Sequence, residues 1–140
     1  MALVYFDASA LVKLCVPEAG SELARRLWDR ADVVVTSRLT DTELRAVLAT
    51  GLRVGVIGPA EHDDALGTWT ALWPAMHVVE VTGDVAVRAS QLVGGGGALR
   101  TDDAVHVASA LAVAHDDTLV AAWDPSVAGA ARAQGLRVLP

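Results

Sequence analysis

At 140 residues the chain is long enough for one globular domain and short for two, and a domain of this size buries about 68–70% of the surface its unfolded form exposes. Its residues are 53% hydrophobic and 20% charged, which excludes a disordered or fibrous polymer. Eleven basic residues against seventeen acidic ones leave a net charge of −6, so nucleic-acid binding through overall charge is excluded and any such binding has to be local or assisted by a cation.

The chain opens on LVYF at 3 to 6, an apolar run suited to a buried strand, and Asp7 then sets a carboxylate against it. A charge buried there without a partner would be strongly destabilising. A helix is expected from Ala8, which Asp7 can cap. The N-terminus has no basic segment, and nothing approaches the roughly 20 apolar residues of a membrane span, so a cytoplasmic protein without a membrane partner is expected. Cys15 has no second cysteine to pair with and suits a small core position.

Helical periodicity runs from Glu18 to Arg30 behind Pro17, and the strand VVVT follows at 33 to 36. In the next helix, DTELRAVLATGL, the spacing predicts Leu44, Val47, Leu48 and Leu52 on one face, and Thr40 with Glu43 spells a T-x-x-E capping box. Pro59 opens a helix that runs to about Trp73, before Pro74. The strand HVVEV at 77 to 81 leads into a helix from Asp84 to Val93, which GGGG at 94 to 97 breaks. Without a following G-K-[ST] that glycine run is a connector and not a phosphate loop. TDDAVHVASALAVA is a helix capped by Thr101, and TLVAAW at 118 to 123 is a strand ending at Asp124, an N-cap with Pro125 at the first helical position. That helix ends near Gly135, and LRVL closes the chain as a fifth strand. Alternating strands and helices predict an α/β fold over residues 1 to 140, a three-layer α/β/α arrangement with a mainly parallel sheet of about five strands covered on both faces.

Such sheets carry their sites at the carboxyl ends of the strands. Asp7, Glu43 and Asp124 all fall there, and each has a structural explanation as a helix cap or first-turn acid. Capping does not, however, require three carboxylates at the same edge, where they repel one another. Asp103 follows no strand, but helical spacing aligns it with Val107, Ala110 and Ala114 toward the sheet, while Asp102 points with His106 and Ser109 to another face. Converging carboxylates without Cys or His at ligand spacing select hard, oxygen-preferring ions such as Mg²⁺ or Mn²⁺.

The blocks YFDASALVKL, TDTELRAVL, LRTDDAVHVASAL and LVAAWDPSVAGAARAQGLRVL, in this order and spacing, resemble the PIN-domain family, most closely the ribonuclease toxins of VapBC toxin-antitoxin pairs. The resemblance implies that Asp7, Glu43, Asp103 and Asp124 surround one or two Mg²⁺ or Mn²⁺ ions, with Ser9 as a supporting hydroxyl. It implies an RNA substrate cut to leave a 5′-phosphate and a 3′-hydroxyl, an antitoxin partner and a homodimer. Many relatives carry Ser or Thr where this chain has Ala122, and Asp102 stands beside Asp103 as the alternative third acid. Asp7, Asp103 and Asp124 are expected to coordinate metal, with Glu43 ligating or orienting the water.

Arg38, Arg45 and Arg100 lie near the acidic motifs and are candidate phosphate contacts, though a solvated surface position is the better explanation of each taken singly. His106 could bond Asp103 or merely pack; His62, His77 and His115 form no ligand set. Trp28, Trp69, Trp73 and Trp123 suit core or interface packing better than base stacking. Haloacid-dehalogenase-like phosphatases need Asp-x-Asp where this chain has Ser9 at the third position, and response-regulator receivers need a late lysine where the only lysine is Lys13. The remaining alternative is a catalytically idle, metal-binding interaction module.

Overall fold

The computed structural model describes all 140 residues. Five strands, β1 (Leu3–Phe6), β2 (Val33–Ser37), β3 (His77–Val79), β4 (Thr118–Ala121) and β5 (Arg137–Leu139), form one sheet in the order β3-β2-β1-β4-β5. Every pairing is parallel. The helices are α1 (Ala8–Cys15), α2 (Ser21–Arg30), α3 (Thr40–Val54), α4 (Pro59–Leu72), α5 (Gly83–Val93), α6 (Thr101–Val113) and α7 (Pro125–Ala133), with a 3₁₀ turn at Trp73–Ala75.

Strand β1 shows why the opening run is apolar throughout. Val4 and Phe6 pack on one side with Ala10, Leu11, Leu44, Leu48 and Trp69, while Leu3 and Tyr5 pack on the other with Val85, Ala104, Val107 and Val127. A central strand buried on both faces has no polar alternation to show. From β1 the chain winds outward through β2 to β3, then crosses back to place β4 on the far side of β1. The direction of winding therefore reverses between β1 and β4, the position at which open parallel sheets leave a crevice beyond their carboxyl ends. Asp7 ends β1 at that crevice, and Asp124 follows β4 by three residues.

Several local expectations change. Helix α2 starts at Ser21 and not Glu18, because Gly20 turns the chain in the left-handed region at φ 90°. Val47 is 49% exposed, so the buried face of α3 is carried by Leu44 and Leu48, with Leu52 half-buried. Helix α6 is buried on every side from Asp103 to Ala110, wedged among α5, α7 and the sheet, so His106 and Ser109 do not point to a separate, exposed face. Trp69 is fully buried and tilts against Trp73, and Trp28 meets Phe6 edge-on. No helix is long and apolar enough to cross a membrane.

Gly20 also supports the site. A Cβ there would lie 2.7 Å from Nε1 of Trp123 and 3.2 Å from Cδ of Lys13, whose ammonium sits 5.3 Å from the Trp123 ring. Trp123 immediately precedes Asp124. Gly20→Ala would combine a left-handed backbone, unfavourable for an L-residue by about 1–2 kcal/mol, with displacement of the indole. A urea melt should show at least that loss.

Candidate active site

Asp7 is 2% exposed, and its Oδ1 accepts the Ala10 N–H at 2.9 Å and the Ser9 hydroxyl at 2.6 Å. Burial pushes its pKa up to about 6; the Ser9 bond and the charge of His106 pull it down, and the nearby Asp124 carboxylate adds to the rise. The expected cap is therefore present, and so is the crowding that capping does not explain.

Ser9 is the hinge of this arrangement. While donating to Asp7, its Oγ accepts the backbone N–H groups of Trp123 at 2.9 Å and Asp124 at 3.1 Å. One hydroxyl thus ties the end of β1 to the segment after β4. Asp124 caps α7, its Oδ1 accepting the N–H groups of Ser126 and Val127.

Asp103, 5% exposed, accepts the Arg100 N–H through Oδ2 at 3.2 Å. Burial raises its pKa, opposed by that bond and reinforced by Asp124 and Asp102. Arg100, and not Thr101, is the residue preceding the first turn of α6. Asp102 is less buried than Asp103 and pairs with the Arg100 guanidinium. The Asp124 carboxylate thus bears electrostatically on both Asp7 and Asp103, at the edge of the sheet where the winding reverses.

Glu43 does not close the expected capping box. Thr40 lies inside α3, and its hydroxyl bonds Thr36 Oγ1, while Thr36 donates to the Phe6 carbonyl, pinning α3 to the ends of β1 and β2. The Glu43 carboxylate has a tertiary partner instead: Oε1 lies 2.6 Å from Nε2 of His106, which is 2% exposed. Nδ1 of His106 is 2.8 Å from the hydroxyl of the fully buried Tyr5. Burial opposes charge on His106, but the bond and charge of Glu43, with Asp7 behind them, raise its pKa. Burial and the charge of Asp7 raise Tyr5 well above the usual phenol range.

Sequence reasoning missed Tyr5 altogether, and of His106 it weighed only a bond to Asp103 or plain packing, not the bond to Glu43 that the structure shows. A faint signal existed: Tyr5 stands two residues before Asp7 and so on the same face of β1, and His106 stands one turn beyond Asp103.

The three arginines lie at this end of the sheet, but each already has a carboxylate. Arg38 forms a bidentate pair with Glu80 and lies 5.9 Å from the Trp73 ring centre, Arg45 pairs with Asp41, and Arg100 with Asp102. Asp41 also accepts the Trp69 indole N–H at 2.8 Å, which fixes the first turn of α3 against α4.

No three acidic, histidine or cysteine side chains converge tightly enough to grip an ion in this conformation. The reason is visible in the bonds: Asp7, Asp103 and Asp124 each give one oxygen to the start of a helix, and Glu43 gives one to His106. The second oxygen of each takes no hydrogen bond from the protein and is not sealed from solvent. Free, partly desolvated carboxylate oxygens suit a hard divalent cation. Cys15 supplies no soft ligand, because it is buried in the core at the far end of α1 from Asp7. The donor chemistry therefore fits a hard ion such as Mg²⁺ or Mn²⁺.

Residues 4–131 match the PIN domain family model. Ribonuclease VapC45 and ribonuclease VapC49, both of Mycobacterium tuberculosis, are each 46% identical to the chain over 140 residues, spanning all of it and 96% of their own length. Among solved structures, FitAcB from Neisseria gonorrhoeae superposes with a TM-score of 0.74 at 17% identity, covering 98% of this chain and 96% of that one. Mycobacterium tuberculosis VapC20, described as a sarcin-ricin loop cleaving toxin, gives 0.70 at 20% identity, covering 91% and 94%. VapBC-5, a toxin-antitoxin system of the same organism, gives 0.62 at 19% identity, covering 99% and 98%. The structural matches share the fold.

Proposed function

Because the chain belongs to the PIN-domain family, we propose that it is a divalent-metal-dependent endoribonuclease and the toxin of a VapBC-type toxin-antitoxin pair, its 140 residues working as one PIN unit. The observation that supports the site most directly is geometric: the Ser9 hydroxyl donates to Asp7 and accepts the Asp124 N–H, so the ends of β1 and β4 bring two carboxylate-bearing residues to one edge, where a bound cation would relieve their repulsion.

Asp7, Asp103 and Asp124 would hold one or two Mg²⁺ or Mn²⁺ ions, with Glu43 ligating or orienting the attacking water. When bound, the metal lowers the pKa of a water and offsets charge developing on the phosphodiester oxygens. The protein holds its side chains in place for that work. Ser9 couples Asp7 to the Asp124 backbone, and the bond from Arg100 N–H turns Asp103 so that one oxygen is free. Arg45 and Arg100 each engage their carboxylate through one nitrogen and keep further N–H groups for RNA phosphates, whereas Arg38 is held by both oxygens of Glu80. Hydrolysis would leave a 5′-phosphate and a 3′-hydroxyl, with single-stranded loops as the accessible targets.

An antitoxin would cover the acidic crevice, with a basic side chain standing in for the cation. A homodimer would cover exposed apolar positions such as the neighbouring Val54 and Val56 at the end of α3. Incubation of the purified protein with structured RNA tests the chemistry: cleavage is expected with Mg²⁺ and none after EDTA. Absent or metal-independent cleavage would favour the idle interaction module. Expression without the partner should arrest growth; harmless expression of an active nuclease would remove the toxin assignment and leave the nuclease.

A further inference from the structure

Resting on the metal-site assignment above, we propose that His106 is a positioning residue for Glu43, presenting its free carboxylate oxygen to the acidic crevice while Tyr5 fixes the imidazole. Three elements far apart in sequence meet in this relay: β1 supplies Tyr5, α6 supplies His106 and α3 supplies Glu43.

The direction of the bonds follows from donor chemistry. An ionised carboxylate only accepts, so Nε2 of His106 must carry the hydrogen that bridges to Oε1 of Glu43. In the neutral ring Nδ1 then accepts and the Tyr5 hydroxyl donates to it; in the imidazolium Nδ1 donates to the Tyr5 oxygen, and the Nε2–H bridge to Glu43 is the same in both states. Tyr5 and His106 are 0% and 2% exposed, so water is poorly placed to substitute for either bond.

Glu43 needs this support more than its neighbours do. Asp7, Asp103 and Asp124 are short side chains held by backbone N–H groups at helix starts. Glu43 is longer and receives no such backbone bond, and the imidazole that holds it also feels the charges of Asp7 and Asp102. Freed from His106, it would turn outward to solvent and leave the crevice. Groups that orient a metal-binding carboxylate in this way typically change metal affinity or activity by about 10–100-fold when removed.

Manganese binding, read from the free-ion EPR signal, tests the relay without relying on turnover. His106→Leu should raise the Mn²⁺ Kd by about tenfold or more, whereas His106→Gln, which keeps an N–H for Glu43, should recover most of the affinity. In a Glu43→Ala background His106→Leu should have no further effect, because nothing is left to position. An equal loss in both backgrounds, or equal Kd values for the Leu and Gln variants, would overturn the proposal by reducing His106 to a packing residue.

Nitrogen-15 NMR of the wild-type ring supplies a readout independent of variant folding. A protonated Nε2 is expected, and a ring protonated only at Nδ1 overturns the relay. Wild type and Asp7→Asn separate the two levels of inference. If wild type binds no Mn²⁺, or Asp7→Asn binds it equally well, the metal site fails and the relay with it; if those controls behave and His106→Leu binds like wild type, only the relay falls.

Discussion

Asp7→Asn is expected to make the metal-free protein more stable at pH 7.5 while abolishing RNA hydrolysis. Asp7 has a folded pKa of about 6 against an ordinary value of 3.8, with burial as the leading cause. At about 1.36 kcal/mol per pKa unit, the ionised side chain destabilises the metal-free fold by roughly 3 kcal/mol above pH 6. Between pH 3.8 and 6 the folded state binds more protons than the unfolded one, so this contribution to stability falls as pH rises, and it is fully favourable only below the lower value. Asparagine never ionises, yet its Oδ1 can still accept from Ser9 and Ala10. In EDTA the variant should therefore exceed wild type by about 2–3 kcal/mol at pH 7.5 and converge with it near pH 4.

Metal should reverse this order. A ligand present at 100 times its Kd stabilises the folded state by about 2.7 kcal/mol, an increment wild type should gain and the variant largely miss. Urea melts at the two pH values, with EDTA or Mg²⁺, read all four cases. A variant no more stable than wild type in EDTA would mean that the Asp7 charge is already well solvated and that its burial is not held in reserve for a cation. Stability given up at this position would otherwise mark it as functional.

The contrast between Asp7 and Glu43 shows which parts of the site the sequence could reveal. Asp7 lies at the end of an uninterrupted apolar strand, and its cap partner is three residues away, so both its place and its bond follow from local pattern. Glu43 has an equally clear local pattern in T-x-x-E, and that pattern misleads. Thr40 bonds Thr36, and the carboxylate chooses an imidazole 63 residues further along the chain. A tertiary partner outcompetes a local cap when the partner is buried and otherwise unsatisfied, and spacing carries no trace of it.

The same division applies to the scaffold. The five strands could be located because buried parallel strands are short apolar runs separated by helical periodicity, whereas their order, with β1 central, comes from crossovers that composition does not record. The start of α2 moved because Gly20 makes room for Trp123, a contact between opposite ends of the sequence. Val47 lay on the predicted apolar face of α3 yet is exposed, since periodicity defines a stripe but not how wide a neighbour covers it.

Ser9→Ala should have the second large effect, on stability and activity together. The hydroxyl uses its whole bonding capacity: its hydrogen goes to Asp7, and its lone pairs take the N–H groups of Trp123 and Asp124. Alanine would leave two partly buried backbone donors without a protein partner, at roughly 1–3 kcal/mol each where water cannot reach them. A total loss of about 2–4 kcal/mol is expected from urea melts. Asp7 would also lose the strongest bond opposing its burial, so its pKa should rise further and its affinity for a cation should fall. The segment carrying Asp124 would be released from β1 at the same time. A drop of about 10–100-fold in cleavage is expected, expressed in kcat because the carboxylates and not the RNA contacts are displaced. Ser9→Thr keeps the hydroxyl at a half-buried position and should restore most of both properties. An alanine variant within about 0.5 kcal/mol of wild type, the range of an ordinary surface change, and with full activity would show that the hydroxyl is a bystander and that the two strand ends are held together by other contacts.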